Sequence, residues 1–315
     1  MTLPYIVIYV ILGIVVLLTL LNFKTSRADG TLIRAAHKYR KMMPYLMRGR
    51  NESVVYFDDY VDVEELLQYV QDVKAKGDFN ADITHCTIGA IAIGFHENPK
   101  MNRFVAGRRL YQRDGVHLTF SMKREQLNRA AKVAISKLEI PPTQTFKELC
   151  ERMNQNIAVE RSGEKTYTDK ELDLIMLLPR PLLRGAVALM RLVDYYGLLP
   201  KSFIDGDAMF ASAVVANLGS LNMSAGYHHF YEWGTASLFM MIGKIEERPV
   251  VIDGEIQVRK QMLIRFSFDE RIDDGLNARF GIDSVRNALE NPYTYLGCLK
   301  DNGEDHRPFL PASKA

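Results

Sequence analysis

The chain begins with an uninterrupted apolar segment. Residues 3–23 (LPYIVIYVILGIVVLLTLLNF) contain no charged side chain. A membrane-spanning helix needs about 20 apolar residues, whereas a cleavable signal has a basic start, a shorter apolar core and a small-residue cleavage site. A helix of this length in water would keep one polar face. The pattern therefore predicts a transmembrane helix as an anchor over residues 1–23.

After residue 50 the pattern changes to that of a mixed α/β domain. Helical spacing predicts helices at 63–75, 83–97, 145–161 and 275–290. Strands are predicted at 54–63, on both sides of the turn at 113–115, and at 131–138, 209–217, 236–244, 248–252 and 260–268. We therefore expect a domain at 51–293, a basic juxtamembrane arm at 24–50 before it, and a polar C-terminal tail at 294–315 after it.

The segment Leu182–Leu199 differs from an ordinary core helix. It is very apolar, yet Arg184, Arg191 and Asp194 form a narrow charged stripe along it. This pattern is typical of a helix in a membrane interface or of one that lines an acyl channel. A helix packed between the domain and a neighbouring subunit would have the same composition. The sequence leaves these three readings open.

The charges are distributed unevenly along the chain. The totals are 40 Lys+Arg against 38 Asp+Glu, but residues 24–50 contain eight basic side chains and one acidic side chain, Asp29. The positive-inside rule then places the domain in the cytoplasm, as the C-terminal part of a single-pass protein. A basic stretch beside a membrane also attracts anionic lipids, so membrane lipids are predicted partners. A solvated helix face is compatible with the same charges.

Composition excludes several classes of protein. A near-neutral chain with 47% hydrophobic residues is neither a disordered protein nor a typical nucleic-acid binder. Its cysteines, Cys86, Cys150 and Cys298, have no CxxC spacing, so neither a disulfide framework nor a metal site is predicted. Unpaired cysteines are typical of a reducing compartment.

The region Ser267–Gly275 (SFDERIDDG) contains the most specific motif. It resembles the catalytic motif D-H-R-x-x-D-G of the dihydrolipoamide acyltransferases, the core subunits of 2-oxoacid dehydrogenase complexes, which belong with the chloramphenicol acetyltransferases. The matching residues, in order and spacing, are Asp269, Arg271, Asp274 and Gly275. Glu270 occupies the position of the family's histidine.

The resemblance extends over most of residues 31–293. Asn217-Leu218-Gly219 is similar to the family's S-N-L-G, with Ala216 in place of the serine. Similar segments also occur at 33–63, 83–102, 240–257 and 278–292. The resemblance therefore implies an α/β fold, with a chloramphenicol acetyltransferase-like mixed sheet flanked by helices. The apolar pattern of residues 1–23 adds one transmembrane helix before this domain.

The family resemblance also implies a function. Such proteins form homotrimers with the active site at the subunit interface. The motif histidine removes a proton from the acceptor, and a serine of the neighbouring subunit donates a hydrogen bond to the oxyanion. Coenzyme A or acyl-CoA is the implied substrate, or an acyl carrier, with no covalently bound cofactor. Only an anchor and an arm precede the domain, so no lipoyl domain is expected.

The candidate catalytic residues are Glu270, Asp274 and His229. Asp274 is interpreted as holding the motif turn, while His229 lies in His228-His229, which begins an H-H-x-x-x-x-G spacing and is either a relocated base or a loop residue. The predicted structural residues of the motifs are Asp269, Arg271, Gly275, Asn217 and Gly219.

Two functions stay open. The first is a membrane-anchored acyltransferase with altered machinery, and the second is a catalytically inactive trimeric scaffold or acyl/CoA sensor at the membrane.

Overall fold

Helices and strands are interspersed along the chain, of which the computed structural model describes residues 3–123, 133–162 and 176–310. The helices are α1 (Leu3–Leu21), α2 (Lys38–Leu46), α3 (Glu64–Lys76), α4 (Ile83–Glu97), α5 (Phe146–Arg161), α6 (Arg180–Tyr195), α7 (Lys201–Gly206), α8 (Gly275–Glu290) and α9 (Pro292–Tyr295). The strands are β1 (Gly30–Leu32), β2 (Val54–Asp62), β3 (Arg103–Ala106), β4 (Arg109–Arg113), β5 (His117–Lys123), β6 (Val133–Glu139), β7 (Ala213–Asn217), β8 (Leu238–Ile252) and β9 (Glu255–Asp269).

A six-stranded mixed sheet forms the centre of the domain, in the order β2-β9-β8-β7-β5-β6. The pairs β5–β7 and β7–β8 are parallel, and the other pairs are antiparallel. The first six residues of β8 are all buried, as expected of a central strand covered on both faces. The sheet and its helices thus enclose one main apolar core.

Helix α4 is buried because almost all its side chains are small or apolar. It packs against α8, where a side-chain Cβ at Gly94 would lie 2.8 Å from Val285 Cγ2. This close approach of the two helices is possible only with glycine at that position. Packing against α4 therefore fixes the position of α8, and the start of α8 directly follows the motif turn.

A second, three-stranded sheet in the order β1-β4-β3 attaches the N-terminal arm to the domain. Thr31 of β1 pairs with Gln112 of β4. The strands on the two sides of the 113–115 turn are both present, but β4 belongs to this small sheet and β5 to the large one. The arm is therefore part of the folded domain over β1.

The predicted elements agree closely with the observed ones. The helices at 83–97 and 275–290 begin and end where the sequence predicts. The strand predicted at 131–138 is β6, and its residues 131 and 132 lie outside the described residues. The strands predicted at 236–244 and 248–252 form one long strand, β8, with an irregularity between Ile242 and Ile245.

The residues predicted to form a C-terminal tail contribute to the core. Leu296, Cys298 and Phe309 are buried in the main apolar cluster. Pro308 forms an isolated bridge to Thr145, next to the start of α5. The described part of this segment is thus packed against the domain.

Helix α1 exposes its side chains from Tyr5 to Leu17. Over the described residues, however, no helix combines the length and the apolarity that crossing a membrane requires. The transmembrane helix predicted from the sequence is therefore not confirmed.

Candidate active site

The motif turn is held by a buried ion pair at the end of β9. The Arg271 guanidinium donates from Nε to Asp269 Oδ1 at 2.9 Å and from Nη2 to Asp269 Oδ2 at 2.7 Å. Both side chains are almost fully buried. A two-point charge-assisted contact fixes both groups in orientation as well as in distance. Asp269 and Arg271 therefore hold the turn that carries Glu270.

Glu270 is half-buried between these two residues. Its backbone N–H donates to Ser53 O at 3.0 Å, and its carbonyl accepts from Arg40 Nη1 at 2.5 Å. Among the described residues, no hydrogen bond or ion pair involves the Glu270 carboxylate. The position is thus fixed through the backbone, and the side chain is not committed to a structural contact.

Asp274 caps the helix that follows the motif. Its Oδ1 accepts from the backbone N–H of Asn277 at 3.1 Å at the start of α8, and this hydrogen bond lowers the pKa of the exposed carboxyl. The neighbouring Asp273, not Asp274, pairs with an arginine, at 3.1 Å from Arg103. Gly275 follows as the first residue of α8, in space where an added Cβ meets no atom within 4 Å.

The Asn217–Gly219 turn is a second fixed structure, at the end of β7. Asn217 Nδ2 donates to Thr84 Oγ1 at 3.0 Å, and its Oδ1 accepts from the Ser220 N–H at 3.0 Å. A side chain at Gly219 would collide with the carbonyl of Gly243. Ala216 precedes this turn and packs against an apolar cluster.

Glu270 and Ala216 lie far apart within one chain. Ala216 pairs with Met241 of β8, which pairs with Arg265 of β9, five residues before Glu270. At about 3.3 Å per residue, this separation is on the order of 15 Å along the strand direction alone. A single copy of the chain therefore does not bring these two positions together.

The His228-His229 pair lies in the loop before β8. The Ser267 hydroxyl donates to the His228 carbonyl at 2.6 Å, which places the pair beside the end of β9. The His228 ring stacks on Phe239 at 4.7 Å, and burial lowers its pKa. His229 is exposed, with Nδ1 2.8 Å from the Phe230 carbonyl. No bond among the described residues joins His229 to Glu270.

Arg50 is a buried residue of this region, and its sequence context predicts only a place in the basic arm. Its guanidinium donates to the carbonyls of Gly234 and Ala236 and lies over the Phe230 ring. Burial lowers the pKa of Arg50 to about 10. Nothing in the local sequence distinguishes it from the exposed arginines nearby. It connects the arm to the histidine loop.

A cleft of 490 Å³ lies beside the Asn217 turn. Its lining includes the apolar side chains of Leu67, Val70, Ile245 and Met262, together with Asn217, Ser220, the cations Lys74 and Lys244, and one carboxylate, Asp82. Apolar walls with a few polar and charged groups are typical of small-molecule sites. Such a lining can hold an apolar chain and meet negative charge on the same ligand.

Solved structures define the class of fold. A probable dihydrolipoamide acetyltransferase from Listeria monocytogenes aligns with a TM-score of 0.56 at 16% identity, over 82% of this chain and 94% of that chain. A chloramphenicol acetyltransferase aligns with a TM-score of 0.50 at 13% identity, over 82% and 99% of the two chains. The mixed α/β domain therefore has the chloramphenicol acetyltransferase-like fold.

The sequence comparison is more specific over the C-terminal third. Residues 207–297 match the family of the 2-oxoacid dehydrogenases acyltransferase (catalytic domain). A lipoamide acyltransferase component of the branched-chain alpha-keto acid dehydrogenase complex from Pseudomonas putida is 51% identical over 51 residues, which are 16% of this chain and 12% of that relative's length. The resemblance recognised in the sequence is thus confirmed, and it is with the acyltransferase catalytic domain.

Proposed function

We propose that this protein binds an acyl thioester at a membrane surface without efficient transfer of the acyl group. The proposal rests on one contrast. The residues that hold the two motif turns in place are present, whereas the two residues that would perform the chemistry are replaced. The Asp269–Arg271 pair and the Asn217 turn are built as fixed structures. By the resemblance to the family, Glu270 stands at the position of the base and Ala216 at the position of the oxyanion donor.

The magnitude of the loss favours binding over transfer. Losing a general base costs about 10²–10⁴ in rate, and losing one oxyanion donor costs about 10²–10³. The two losses need not multiply, because residues of one site act together. An alanine methyl offers no hydrogen bond to a developing oxyanion. The scaffold can nevertheless keep its affinity for the ligand.

The ligand class follows from the cleft beside the Asn217 turn. Coenzyme A or acyl-CoA has phosphates and an apolar acyl chain, and an acyl carrier presents a similar thioester. The apolar lining together with Lys74 and Lys244 suits this combination. We assign the thioester ligand to this cleft, where it would bind without a covalent bond to the protein.

Two assembly features belong to the same proposal. Helix α1 attaches the chain to the cytoplasmic face of a membrane, because its side chains from Tyr5 to Leu17 are uncharged and exposed, and exposed apolar surface of this extent needs a cover. The chain also forms a homotrimer, which would bring Glu270 of one copy towards Ala216 of another.

A second candidate function is acyl transfer with Glu270 as the base. It is favoured by one observation, which is that no described contact uses the Glu270 carboxylate. A glutamate acts as a base near neutral pH only when its pKa is matched to the task. His229 is the alternative base, exposed in the neighbouring loop.

The test compares binding with turnover by the 315-residue chain in detergent. A panel of acyl-CoA substrates is titrated by calorimetry, and thiol release is followed in parallel. Binding without thiol release supports the proposal. Thiol release that is lost in Glu270→Gln establishes the second function, and release lost only in His229→Ala establishes the relocated base. Absence of both binding and release contradicts both functions.

A matched pair of variants tests the cleft. Lys74→Glu reverses a charge in the cleft lining, whereas Lys100→Glu makes the same change at an exposed position outside it. We expect weaker acyl-CoA binding only in Lys74→Glu. Equal affinities of the two variants would place the ligand elsewhere.

A further inference from the structure

Helix α6 exposes an apolar strip along its length. Leu182, Leu189 and Leu192 are 60%, 60% and 47% exposed. Their spacing of seven and three residues places them on one face of the helix. None of the α6 residues is buried. The strip therefore has no cover within this chain, over the residues that the structure describes.

The opposite face of α6 is basic. Arg184 and Arg191 are seven residues apart and both exposed, and Arg180 precedes them at the start of the helix. At 100° per residue these arginines lie roughly opposite the leucine strip. An apolar face opposed by a basic face is typical of a helix that lies in the plane of a membrane interface.

The C-terminal end of α6 is clamped to the segment that leaves α1. Arg27 Nη1 donates to Asp194 Oδ1 and to the Asp194 carbonyl, both at 3.0 Å. Lys24 Nζ donates to the Gly197 carbonyl at 2.8 Å. Both members of the Arg27–Asp194 pair are largely shielded from solvent. The end of α6 is therefore hydrogen-bonded to the short segment that directly follows the end of α1.

This clamp also determines which charges of α6 remain exposed. Asp194 is the one acidic residue in α6, and it shares Arg27 with Asp29, which also lies 3.7 Å from Arg113, so the two carboxylates are balanced by two arginines. The charges that α6 leaves exposed are those of its arginines, and all are positive. This surface complements the negative headgroups of anionic phospholipids.

We propose that α6 lies in the interface of an anionic phospholipid bilayer, with the leucine strip at the acyl boundary and the arginines at the headgroups. The proposal rests on the membrane attachment of α1. It deepens that function because the domain is then held at two elements joined by the Arg27–Asp194 clamp. The clamp fixes which side of the domain faces the lipid.

The test measures the depth of a spin label on α6 in vesicles of phosphatidylcholine and phosphatidylglycerol. The native cysteines are buried, so a label reacts with the introduced thiol. Leu189→Cys carries the label in the strip, and Arg191→Cys carries it on the basic face. Val159→Cys, at a position that is 61% exposed on α5, is the control for a side chain in water.

Collisions with oxygen and with a water-soluble nickel chelate report the depth. We expect the Leu189→Cys label to collide with oxygen and to be shielded from nickel, by at least about tenfold relative to the Val159→Cys label. The Arg191→Cys label should be shallower. A Leu189→Cys label that collides freely with nickel overturns the proposal. A label shielded from both reagents also overturns it, since that result means contact with protein, such as a second copy.

Flotation of the same vesicles separates this proposal from the attachment of α1. If the protein floats but the Leu189→Cys label is exposed to water, only the position of α6 is wrong. If the protein does not float, the membrane attachment and the proposal both fail. Binding of acyl-CoA is measured independently in detergent, so the thioester function stands or falls by its own test.

Discussion

Two adjacent carboxylates of the motif turn have opposite environments. Asp269 is buried with both oxygens paired to Arg271, whereas Glu270 is half-buried and its carboxylate makes no described contact. Removing one member of a buried pair leaves the other charge uncompensated, which costs about 3–5 kcal/mol. We therefore expect Asp269→Ala to lower the free energy of unfolding by about this amount, as measured by urea denaturation followed by circular dichroism.

The control for this prediction is the next residue. Glu270→Gln changes a side chain outside the pair and should shift the free energy of unfolding by at most about 0.5 kcal/mol. Equal effects of the two variants would mean that the Asp269–Arg271 pair does not hold the turn.

A second prediction at the residue scale restores the motif chemistry. Under the proposed function, Glu270→His alone should give little acyl transfer, because no donor stands at Ala216. The double variant with Ala216→Ser supplies both groups and should raise thiol release from acyl-CoA by at least about 10²-fold over the single variant. The control double variant combines Glu270→His with Ala213→Ser. Ala213 lies at a buried position on the same strand, away from the turn. A double variant no better than Glu270→His contradicts the assignment of position 216.

At the scale of elements, the sequence predicts what local pattern determines. Helix α4 matches its predicted bounds because an Asp cap begins it and Pro99 follows it. Strand β8 joins two predicted strands, since the polar residues between them do not interrupt pairing with β9. The membership of β4 and β5 in different sheets depends on long-range pairing, which has no local signal.

The cap of α4 has a predictable pH dependence. Asp82 accepts hydrogen bonds from the N–H groups of Thr84 and His85. Although burial acts in the opposite direction, the hydrogen bond and charge of the His85 ring and these N–H groups lower the pKa of Asp82 to about 2. Because the pKa of Asp82 is lower in the folded state, its ionised carboxylate stabilises the fold at pH values above the ordinary pKa of 3.8. This stabilisation is lost as the pH falls towards 2.

Asp82→Ala should therefore lower the free energy of unfolding by about 1 kcal/mol at neutral pH. The difference from the wild-type protein should shrink as the pH falls below about 4. Urea unfolding at a series of pH values measures both quantities. Asp82→Asn keeps a capping oxygen without a titrating group, so its stability should be closer to wild type at neutral pH. A constant penalty for Asp82→Ala at every pH would contradict the titration of this cap.

At the scale of the whole molecule, the candidate site could be predicted only in part. The motif and its departures are visible in the sequence, since Asp269, Arg271 and Asn217 match in order and spacing. The sequence does not show that Asp273, rather than Asp274, pairs with an arginine, because Arg103 is distant along the chain. The buried role of Arg50 likewise depends on the histidine loop that folds around it.

The β8–β9 hairpin extends beyond the rest of the sheet. β2 pairs with β9 only from Gln261 onward, and β7 pairs with β8 only up to Ile242. Val251 lies opposite Ile256, and Val258 lies two residues further along the same face. These three side chains are 71%, 77% and 66% exposed. A two-stranded arm with an apolar face is marginally stable alone, so we expect a second copy of the chain to cover it.

Ile256→Glu should therefore convert the proposed homotrimer into a monomer, because a charge buried in such a contact is costly. Light scattering coupled to size-exclusion chromatography in detergent measures the mass. Val159→Glu makes the same change at an exposed position on α5 and should keep the trimer. Because the cleft beside the Asn217 turn is lined by residues of one chain, the monomer should keep its acyl-CoA affinity. A trimer that persists in Ile256→Glu excludes the hairpin as the contact, and a monomeric wild type refutes the assembly itself.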